Sequence, residues 1–381
     1  MPPRRILFVI SEDWYFWSHR RNIAAAARRE GYDVWLATRV GELETAIQKE
    51  GIHLVRLHWF RRRTQNFFPE FRSLLELVTI YRRLRPHIIH HVALKPSLMG
   101  LIAVRLTTVS PEKVVNALGG LGILFSGSRR RFDLRKRIIL WGLRLLNLSG
   151  KATWIIQNRY DQRILVDKGI TPKDKTALIP GSGADPDIFK PHPEPPGPPL
   201  VLLASRLLWP KGIETFVSAA RAIKQQGIAA RFVVAGQADT ENPDSIPKAY
   251  ILRWVRHGII EYWGHINDMP SALQAAHIFC LPTYYGEGVP KVLIEAAACG
   301  IPAVTSDIPG CRAIIEDGAN GLTVPPKNVP ALTAALVKLI TQDQLRRSMK
   351  PFMRQVFLER FTDDHITAAS LKVWGATSQH Q

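Results

Sequence analysis

Two glutamates stand in an otherwise apolar stretch near the end of the chain, and their setting predicts a ligand site. Glu287 and Glu295 bracket the Gly-Val-Pro turn of the segment YYGEGVPKVLIEAAACG. Glutamate is seldom buried in a protein unless a partner satisfies its charge. Carboxylates disfavour phosphate, but they accept hydrogen bonds from pairs of sugar hydroxyls. The two residues therefore indicate a ligand that carries hydroxyl groups.

The same segment predicts an anion site at the start of a helix. Pro290 suits a first helical turn and Gly300 suits the position just after a helix end, so we expect a helix between them. Gly286 and Gly288 allow the backbone to approach a ligand closely, and Val289 completes the turn. The N–H groups at a helix start attract phosphate. Carboxylates beside such a start indicate a sugar nucleotide.

Two cations in LLASRLLWPKGIETF are the candidates for neutralising a diphosphate. Arg206 follows a predicted strand and Lys211 precedes a glycine and a predicted helix, so both are expected at one rim of a sheet. A guanidinium and an ammonium there can bind a diphosphate without a metal. By itself the pair could be a solvated surface feature, but its combination with Glu-x7-Glu favours the ligand site. Since no Asp-x-Asp pair stands in a suitable loop, we expect no metal and no cofactor.

Alternating strands and helices along the chain must position these residues. In the first half RRILFVIS, DVWLATRV and HIIHHVAL have the composition of strands, and RNIAAAARREG has that of a helix. The second half repeats this layout with PLVLLASRL, ARFVVAG and HIFCLPT. Such alternation predicts parallel sheets built from βαβ units. We expect an α/β protein with two Rossmann-like, doubly wound domains facing each other across a cleft.

The chain length of 381 residues and a change of composition near the middle suggest where the domains meet. The segment GADPDIFKPHPEPPGPP is rich in proline and has no apolar periodicity, as is typical of a linker. We expect an N-terminal domain at 1–190, a linker at 191–199 and a second domain, with the sugar-nucleotide site, at 200–362. The resemblance described below implies that the domain at 1–190 binds the acceptor. Residues 363–381 form the expected C-terminal helix.

The net charge of +19 is concentrated in the first half of the chain. Residues 1–199 contain 33 basic and 17 acidic residues, against 18 and 15 in residues 200–381. Such basicity fits an anionic membrane, a nucleic acid or a solvated arginine-rich surface. The basic clusters and the aromatic residues near them are Arg61 to Arg63, Arg82, Arg83, Arg85, Arg129 to Arg137, Trp59, Phe60, Phe67, Phe68 and Phe71.

Other features indicate the compartment. Cys280, Cys299 and Cys311 are odd in number, widely spaced and set in apolar contexts, so we expect buried thiols rather than disulfides or zinc ligands. No uninterrupted apolar run reaches the roughly 18 residues of a membrane span. The N-terminal stretch has no small-residue cleavage site. These features predict a cytoplasmic protein.

Taken together, SRLLWPKGIETF, EGVPKVLIE and GANGLTVPPKNVPALTAAL resemble the family 4 glycosyltransferases, which are retaining enzymes of the GT-B fold. The resemblance implies that Arg206 and Lys211 bind the donor diphosphate. It implies that Glu287 contacts the transferred sugar and that Glu295 contacts the ribose hydroxyls. It also implies that the helices after Phe361 pack back on the N-terminal domain.

The first half resembles a narrower branch, through RPHIIHHVALKPSLMG, VVNALGGLGILFSG and IPGSGADPDIF. These segments look like bacterial enzymes that elongate polyprenyl-diphosphate-linked oligosaccharides for surface polysaccharide or glycoprotein synthesis. The resemblance implies a nucleoside diphosphate sugar donor, with uridine as the expected base, and a lipid-linked saccharide acceptor. It implies a peripheral protein on the cytoplasmic face of the inner membrane, bound to the anionic surface through its basic half.

Three alternatives stay open from the sequence. A family 4 enzyme could use a small soluble acceptor, and a sugar-nucleotide epimerase could use the same fold. A nucleic-acid-binding protein would suit the basic charge, but the chain has no recognisable recognition helix or RNA-binding motif. A nucleic-acid-binding function would leave Glu287 and Glu295 without a role, so no nucleic-acid partner is expected.

The acceptor is expected to meet loops of the N-terminal domain. Many relatives have a glycine-rich loop after the first strand, where this chain has SEDWYFWSHR. That loop is therefore assigned to the acceptor. Packing or turn geometry explains the candidates almost as well. The family has a histidine after the fourth strand, and either His90 or His91 could correspond to it. The candidates are Asp13, His19, His91, Lys95 and Gly120, which follows Gly119.

Overall fold

The computed structural model describes residues 3–60, 67–121, 130–147, 152–239 and 241–375. The described residues form two compact units. The first unit contains the chain up to Ser182 and the residues from Asp363 onward, and the second contains Gly183–Thr362.

A parallel sheet organises the first unit. Its strands follow the order β3-β2-β1-β4-β5-β6-β7 within the described residues, so the winding direction reverses between β1 and β4. Ligands bind outside the carboxyl ends of the strands at such a reversal. The strands are β1 (Arg5–Glu12), β2 (Asp33–Arg39), β3 (His53–Arg56), β4 (Ile88–Val92), β5 (Lys113–Leu118), β6 (Ala152–Ile156) and β7 (Thr176–Leu178).

Helices cover both faces of this sheet. Tyr81 and Gly100, from α4 and α5, pack on the face that contains His91. Helix α2 contacts the last helix of the chain on the other side. The helices are α1 (Asp13–His19), α2 (Arg21–Arg29), α3 (Glu44–Lys49), α4 (Phe67–Leu84), α5 (Leu94–Leu106), α6 (Arg130–Leu146) and α7 (Arg159–Asp167).

The second unit repeats the plan. Its parallel sheet has the order β10-β9-β8-β11-β12-β13 in the described residues, with the reversal between β8 and β11. The strands are β8 (Leu200–Ala204), β9 (Arg231–Ala235), β10 (Glu261–Gly264), β11 (Ile278–Leu281), β12 (Ala303–Ser306) and β13 (Gly321–Val324). The helices are α8 (Ile213–Gln225), α9 (Lys248–Arg256), α10 (Met269–Gln274), α11 (Lys291–Ala298), α12 (Pro309–Arg312), α13 (Val329–Thr341) and α14 (Asp343–Arg360).

The two sheets confirm the predicted fold class of two doubly wound α/β domains. Strands with helices on both faces are buried on both sides, which is why they have continuous apolar sequences. All five residues of β8 are buried, as are the central residues Ile6 to Ile10 of β1. Each sheet therefore has an apolar core on either face.

The last helix, α15 (Asp363–Trp374), belongs to the first unit. Trp374 is fully buried, and its ring lies 5.6 Å from that of Phe8 on β1. Its indole N–H donates to Nδ1 of His90 over 3.1 Å. A buried tryptophan needs such a partner for its N–H group. The pairing fixes the end of α15 against the centre of the first sheet.

The proline-rich segment packs as a part of the second unit, although the sequence suggested a linker at 191–199. The structure divides the chain after Ser182, before this segment begins. The Glu194 carboxylate pairs with the buried guanidinium of Arg346 on α14 at 3.0 Å. Arg354 donates to the carbonyl of Phe189 over 2.7 Å. These contacts hold the segment against α14, which composition alone does not reveal.

The three cysteines are buried and unpaired. Within the described ranges, no helix has both the length and the apolar composition needed to span a bilayer.

Burial of histidine in the first unit predicts a pH-dependent stability. Burial lowers the pKa of His91 from 6.5 to about 4. At pH values between these two, the unfolded chain therefore binds more protons than the folded chain. The free energy of unfolding should therefore fall by about 2 kcal/mol from pH 7 to pH 5 through His91 alone. Urea denaturation at several pH values measures this slope. A flat profile for the wild type would contradict a neutral, buried His91.

Candidate active site

The candidate residues of the second unit converge at the carboxyl edge of its sheet. Arg206 follows β8, and the loop that contains Glu287 follows β11. Strands β8 and β11 are neighbours at the reversal of the winding direction. The loops after such strands diverge and leave a crevice that binds ligands. The topology thus brings together residues that are far apart in the sequence.

Lys211 is the partner of Glu287. Its Nζ lies 2.6 Å from Oε1 of Glu287, and only 13% and 14% of the two side chains are exposed. The hydroxyl of the buried Thr283 lies 3.1 Å from the same oxygen and 3.0 Å from the carbonyl oxygen of Pro210, so its proton can be donated to either. The ammonium and the hydroxyl together orient the Glu287 carboxylate.

Close backbone contacts hold the two loops together. The N–H of Tyr284 donates to the carbonyl of Pro210 over 2.9 Å. Gly212 has φ +77°, and a Cβ there would lie 2.0 Å from the carbonyl oxygen of Pro282. Glycine is therefore required at this position for both conformation and space. On the other side of the loop, a Cβ on Gly310 would overlap the carbonyl oxygen of Gly288. The position of Glu287 is thus defined by backbone packing from two sides.

Helix α11 begins where the sequence predicts and contains the second glutamate. Pro290 is its N-cap, and Gly300 follows it in the left-handed conformation with φ +66°. The helix is mostly buried because its residues are apolar or small. Glu295 is also buried, and its Oε1 lies 2.6 Å from Nζ of Lys291 one turn earlier. A lysine four residues before a glutamate lies on the same helix face. This ion pair satisfies the charge of Glu295.

Arg206 extends from the end of β8 to a carboxylate in the loop after β9. Its Nη1 lies 2.9 Å from Oδ2 of Asp239. The arginine side chain is 40% exposed, whereas that of Asp239 is 15% exposed. The guanidinium is therefore held by Asp239 and still accessible to a ligand. Arg206, Lys211 and Lys291 thus each have a carboxylate partner in this structure.

The remaining donor candidates form the turn itself. Gly288 and Pro290 are buried, Val289 is buried in the apolar core, and Gly286 is partly exposed. Val289 thus anchors the turn while Gly286 lies at its surface. Their backbone, rather than their side chains, is what the turn can offer to a ligand.

Sequence reasoning missed three residues of this site. Thr283 and Asp239 are polar residues that follow the carboxyl ends of β11 and β9, which is a recognisable signal only after the strand order is known. Lys291 lies within the motif that we singled out, and its spacing of four from Glu295 could have identified it as a helix-face partner.

Tyr284 and Lys327 add a cation and a ring beside the site. Nζ of Lys327 lies 4.1 Å from the centre of the Tyr284 ring, a cation–π contact. Burial raises the pKa of Tyr284, and the charges of Glu214 and Asp244 raise it further. The phenol is therefore neutral at physiological pH and can still donate a hydrogen bond.

In the first unit, Asp13 has a structural role, and its predicted role in acceptor binding stays a prediction. It is buried, and its carboxylate accepts the N–H groups of Trp14 at 2.7 Å and Gly41 at 2.5 Å. These bonds tie the start of α1 to the loop after β2. Both carboxylate oxygens of Asp13 thus accept backbone amides of the first unit.

His91 is likewise a core residue. Its Nε2 lies 2.8 Å from the hydroxyl of Tyr81, and its Nδ1 lies 2.8 Å from Oδ1 of Asn116. A Cβ on Gly100 would lie 2.0 Å from its ring. His90 points to the opposite face, where it accepts from Trp374. Both rings lie within the cores on the two faces of β4, and the role of His91 in acceptor binding stays a prediction.

The other acceptor candidates follow the carboxyl ends of β1, β4 and β5. The partly exposed His19 ring stacks on Tyr15, with the ring centres 4.1 Å apart. Lys95 at the start of α5 pairs with Glu70 at 2.8 Å. Gly120 has φ +129°, a conformation that favours glycine. These positions fit the rim of a ligand site, and the roles of His19, Lys95 and Gly120 stay predictions.

Several residues of the basic and aromatic clusters named from the sequence lie outside the described residues. This applies to Arg61 to Arg63, to the side chain of Phe67 and to the side chains of residues 129–136.

Two family models match the chain. The model described as glycosyl transferase 4-like matches residues 5–158, and the model described as glycosyl transferases group 1 matches residues 198–342. The second segment contains Arg206, Lys211, Glu287 and Glu295. Each matched segment lies within one of the two units.

Curated relatives have the same overall length or share one segment. An N,N'-diacetylbacillosaminyl-diphospho-undecaprenol alpha-1,3-N-acetylgalactosaminyltransferase of Campylobacter jejuni is 24% identical over 97% of this chain and 98% of its own. A UDP-Gal:alpha-D-GlcNAc-diphosphoundecaprenol alpha-1,3-galactosyltransferase of Escherichia coli is 23% identical over 78% of both chains. The alpha-D-kanosaminyltransferase of Streptomyces kanamyceticus is 31% identical over 40% of this chain and 39% of its own.

Solved structures share the fold over nearly the whole chain. Anabaena HepE in complex with UDP and glucose aligns with a TM-score of 0.78 at 17% identity, covering 98% of this chain and 99% of that one. Sucrose-phosphate synthase from Thermosynechococcus elongatus aligns with a TM-score of 0.79 at 19% identity, covering 98% of both chains.

The close approach of Gly212 to Pro282 predicts a large cost for a single methyl group. Gly212→Ala should lower the free energy of unfolding by about 2 kcal/mol more than Gly227→Ala, because overlap with a backbone carbonyl adds to the conformational strain. Gly227 is the matched control, since its φ of +71° is similar but nothing lies near its Cβ position. Urea denaturation of both variants measures the difference. Equal losses would mean that the two loops do not meet as described.

Proposed function

The chain belongs to the glycosyl transferases of the group 1 and 4-like families, and from that premise we propose its reaction. The enzyme transfers a hexose from a nucleoside diphosphate sugar, with uridine as the expected base, to a hydroxyl of a polyprenyl-diphosphate-linked saccharide. The product serves surface polysaccharide or glycoconjugate synthesis. The names of the Campylobacter and Escherichia relatives, which specify diphosphoundecaprenol-linked saccharides, support this acceptor class.

The observation that carries the proposal is the Lys211–Glu287 pair at the reversal of the second sheet. It combines a cation for phosphate with a carboxylate for sugar hydroxyls, and the start of α11 lies three residues beyond the carboxylate at Pro290. A nucleoside diphosphate sugar requires both kinds of contact in one site. A free sugar or an inorganic phosphate alone would need only one of them.

Donor binding would change the partners in this site. The diphosphate would draw Lys211 and Arg206 from their carboxylate partners, and the amide groups at the start of α11 would add partial positive charge. The released Glu287 would then face the sugar ring. The paired arrangement keeps both groups in position until the donor arrives.

The same contacts would lower the barrier for transfer. The bond between the anomeric carbon and the diphosphate oxygen breaks, and a bond to the acceptor hydroxyl oxygen forms as that hydroxyl gives its proton to the leaving diphosphate oxygen. Negative charge grows on the diphosphate, where Arg206, Lys211 and the start of α11 stabilise it. Positive charge grows on the sugar ring, where the Glu287 carboxylate stabilises it. Such preorganised charges often contribute the largest part of a rate enhancement.

Glu295 would bind the two ribose hydroxyls of the donor. Its carboxylate is buried and oriented by Lys291, so it offers fixed acceptor oxygens rather than a mobile side chain. A buried acceptor that is built for a hydroxyl rejects ligands that lack it. Retention of the anomeric configuration is proposed as well, and the alpha linkages in the names of the relatives support it.

The acceptor places the enzyme at a membrane. We expect a peripheral protein on the cytoplasmic face of the inner membrane, attracted to the anionic surface by the basic surplus of residues 1–199. Nucleic acid has no part in this proposal.

The donor test compares the wild type with Glu287→Gln. Mass spectrometry would follow a panel of nucleotide sugars with and without a membrane lipid extract. We expect one donor to be consumed only with lipid, and we expect the variant to be slower by about a hundredfold or more, because it lacks the charge that faces the sugar. Glu316→Gln is the control, since Glu316 is exposed in the same unit, and it should retain wild-type activity.

Three outcomes would change the proposal. Consumption of a donor with a small soluble acceptor would show that the acceptor is not a lipid-linked saccharide. A changed sugar nucleotide without any acceptor would favour an epimerase. If neither protein binds or consumes any donor, the Glu287 site does not bind a sugar nucleotide.

The proposed reaction needs no metal, because Arg206 and Lys211 supply the charge for the diphosphate. EDTA should therefore leave the rate of the purified enzyme within about twofold of its untreated value. The rate of donor consumption before and after chelation measures this. Loss of activity that magnesium or manganese restores would overturn metal independence.

A further inference from the structure

Helix α6 of the first unit is apolar on two opposite faces. On the inner face, Leu143 is fully buried in a cluster with Leu101 and Trp154. On the outer face, Ile138 and Trp141 are 58% and 64% exposed, and Leu145 is exposed behind them. Residues spaced by three and four lie along one face of a helix. The outer row has no role in the core of the unit.

Helix α4 presents a second row with the same spacing. Phe68, Phe71 and Leu75 are all about half exposed on it, while Leu77 and Tyr81 are buried on its inner face. Isolated exposed apolar residues are common in soluble proteins, but contiguous rows of large side chains mark interaction sites.

The two rows belong to one layer of helices. Arg82 of α4 donates to the carbonyl of Leu106 at the end of α5 over 3.0 Å. Arg105 of α5 donates to the carbonyl of Leu146 at the end of α6 over 2.6 Å. Helices α4, α5 and α6 therefore lie side by side with their carboxyl ends joined. All three helices cover the face of the sheet that contains His91.

The charges on this layer are mostly positive. Helix α5 contains no acidic residue, and α6 contains one, Asp133, against six basic residues. On α4, Glu70 is paired with Lys95, and Glu76 accepts backbone N–H groups from the loop before it. Cations beside apolar rows are typical of helices that lie in the headgroup region of an anionic bilayer. The exposed arginines of the layer are Arg72, Arg82, Arg83, Arg105, Arg137 and Arg144.

We propose that the outer face of α4, α5 and α6 docks on an anionic bilayer, with Ile138, Trp141 and Leu145 of α6 inserted at the level of the headgroups. This assignment rests on the proposed function, because a lipid-linked acceptor requires the enzyme to work at a membrane. The bordering arginines favour a lipid surface over an apolar protein partner. Tryptophan is suited to the boundary, since its ring is apolar and its N–H can bond to headgroups.

Sedimentation of the full chain with vesicles tests the proposal. The wild type should bind vesicles of phosphatidylglycerol and phosphatidylcholine, and it should bind pure phosphatidylcholine much more weakly. Trp141→Ser with Ile138→Ser should reduce partitioning by about tenfold or more, because two large apolar side chains no longer enter the bilayer. Phe68→Ser with Leu75→Ser should act in the same direction.

Charge reversal tests the border of the face. Arg137→Glu with Arg144→Glu should weaken binding to the anionic vesicles and reduce its dependence on salt. Phe352→Ser is the matched control, because Phe352 is 54% exposed on α14 of the second unit, and it should bind as the wild type does. Thermal unfolding of each variant shows that it is folded.

The outcomes separate this proposal from the proposed reaction. Variants that lose vesicle binding but still consume donor with a detergent-solubilised acceptor support the docking face. Vesicle binding that survives all three double substitutions overturns it, whatever the activity. If the wild type ignores vesicles and the α6 substitutions convert a dimer into a monomer in light scattering, the face is a protein interface and the proposal is wrong. Vesicle binding needs no donor, so failure of the reaction leaves this test valid.

Discussion

The ion pair between Lys211 and Glu287 is the interaction on which the candidate site depends. A mostly buried carboxylate is unfavourable unless a cation satisfies it, and here the cation comes from a different loop. The pair can form only if the loops after β8 and β11 meet at the carboxyl edge of the sheet. Gly212 permits that meeting, and Thr283 bonds across it. The strand order, the glycine and the hydroxyl therefore all serve one electrostatic contact.

The two units distribute charge in different ways. In the second unit, the cations of the site are matched by carboxylates, so a bound diphosphate must compete with existing partners. Such a site favours a ligand that offers both phosphate and hydroxyl groups, because it satisfies both members of each pair. In the first unit, arginines on the outer helices are exposed and border apolar rows. That arrangement attracts an extended anionic surface rather than a single ligand.

The sequence predicted the fold class and the principal charges of the site for a clear reason. Strands covered by helices on both faces must be apolar throughout, so β1, β8 and β11 are recognisable from composition. Helix α11 is recognisable because Pro290 and Gly300 mark its ends. Local patterns do not reveal contacts with residues that are distant in the sequence. For example, the sequence does not show that Tyr81 and Asn116 enclose His91 in the core.

What the sequence determined by itself was the alternation of elements, the ends of α11 and the presence of two carboxylates and two cations that needed partners. Each of these depends on residues close together along the chain. The tertiary structure alone decided which charges pair, because Lys211 and Glu287 meet only through the order of β8 and β11. It also decided that the proline-rich segment packs on α14 and that α4 and α6 share a face. Such contacts join residues whose separation in sequence carries no periodic signal.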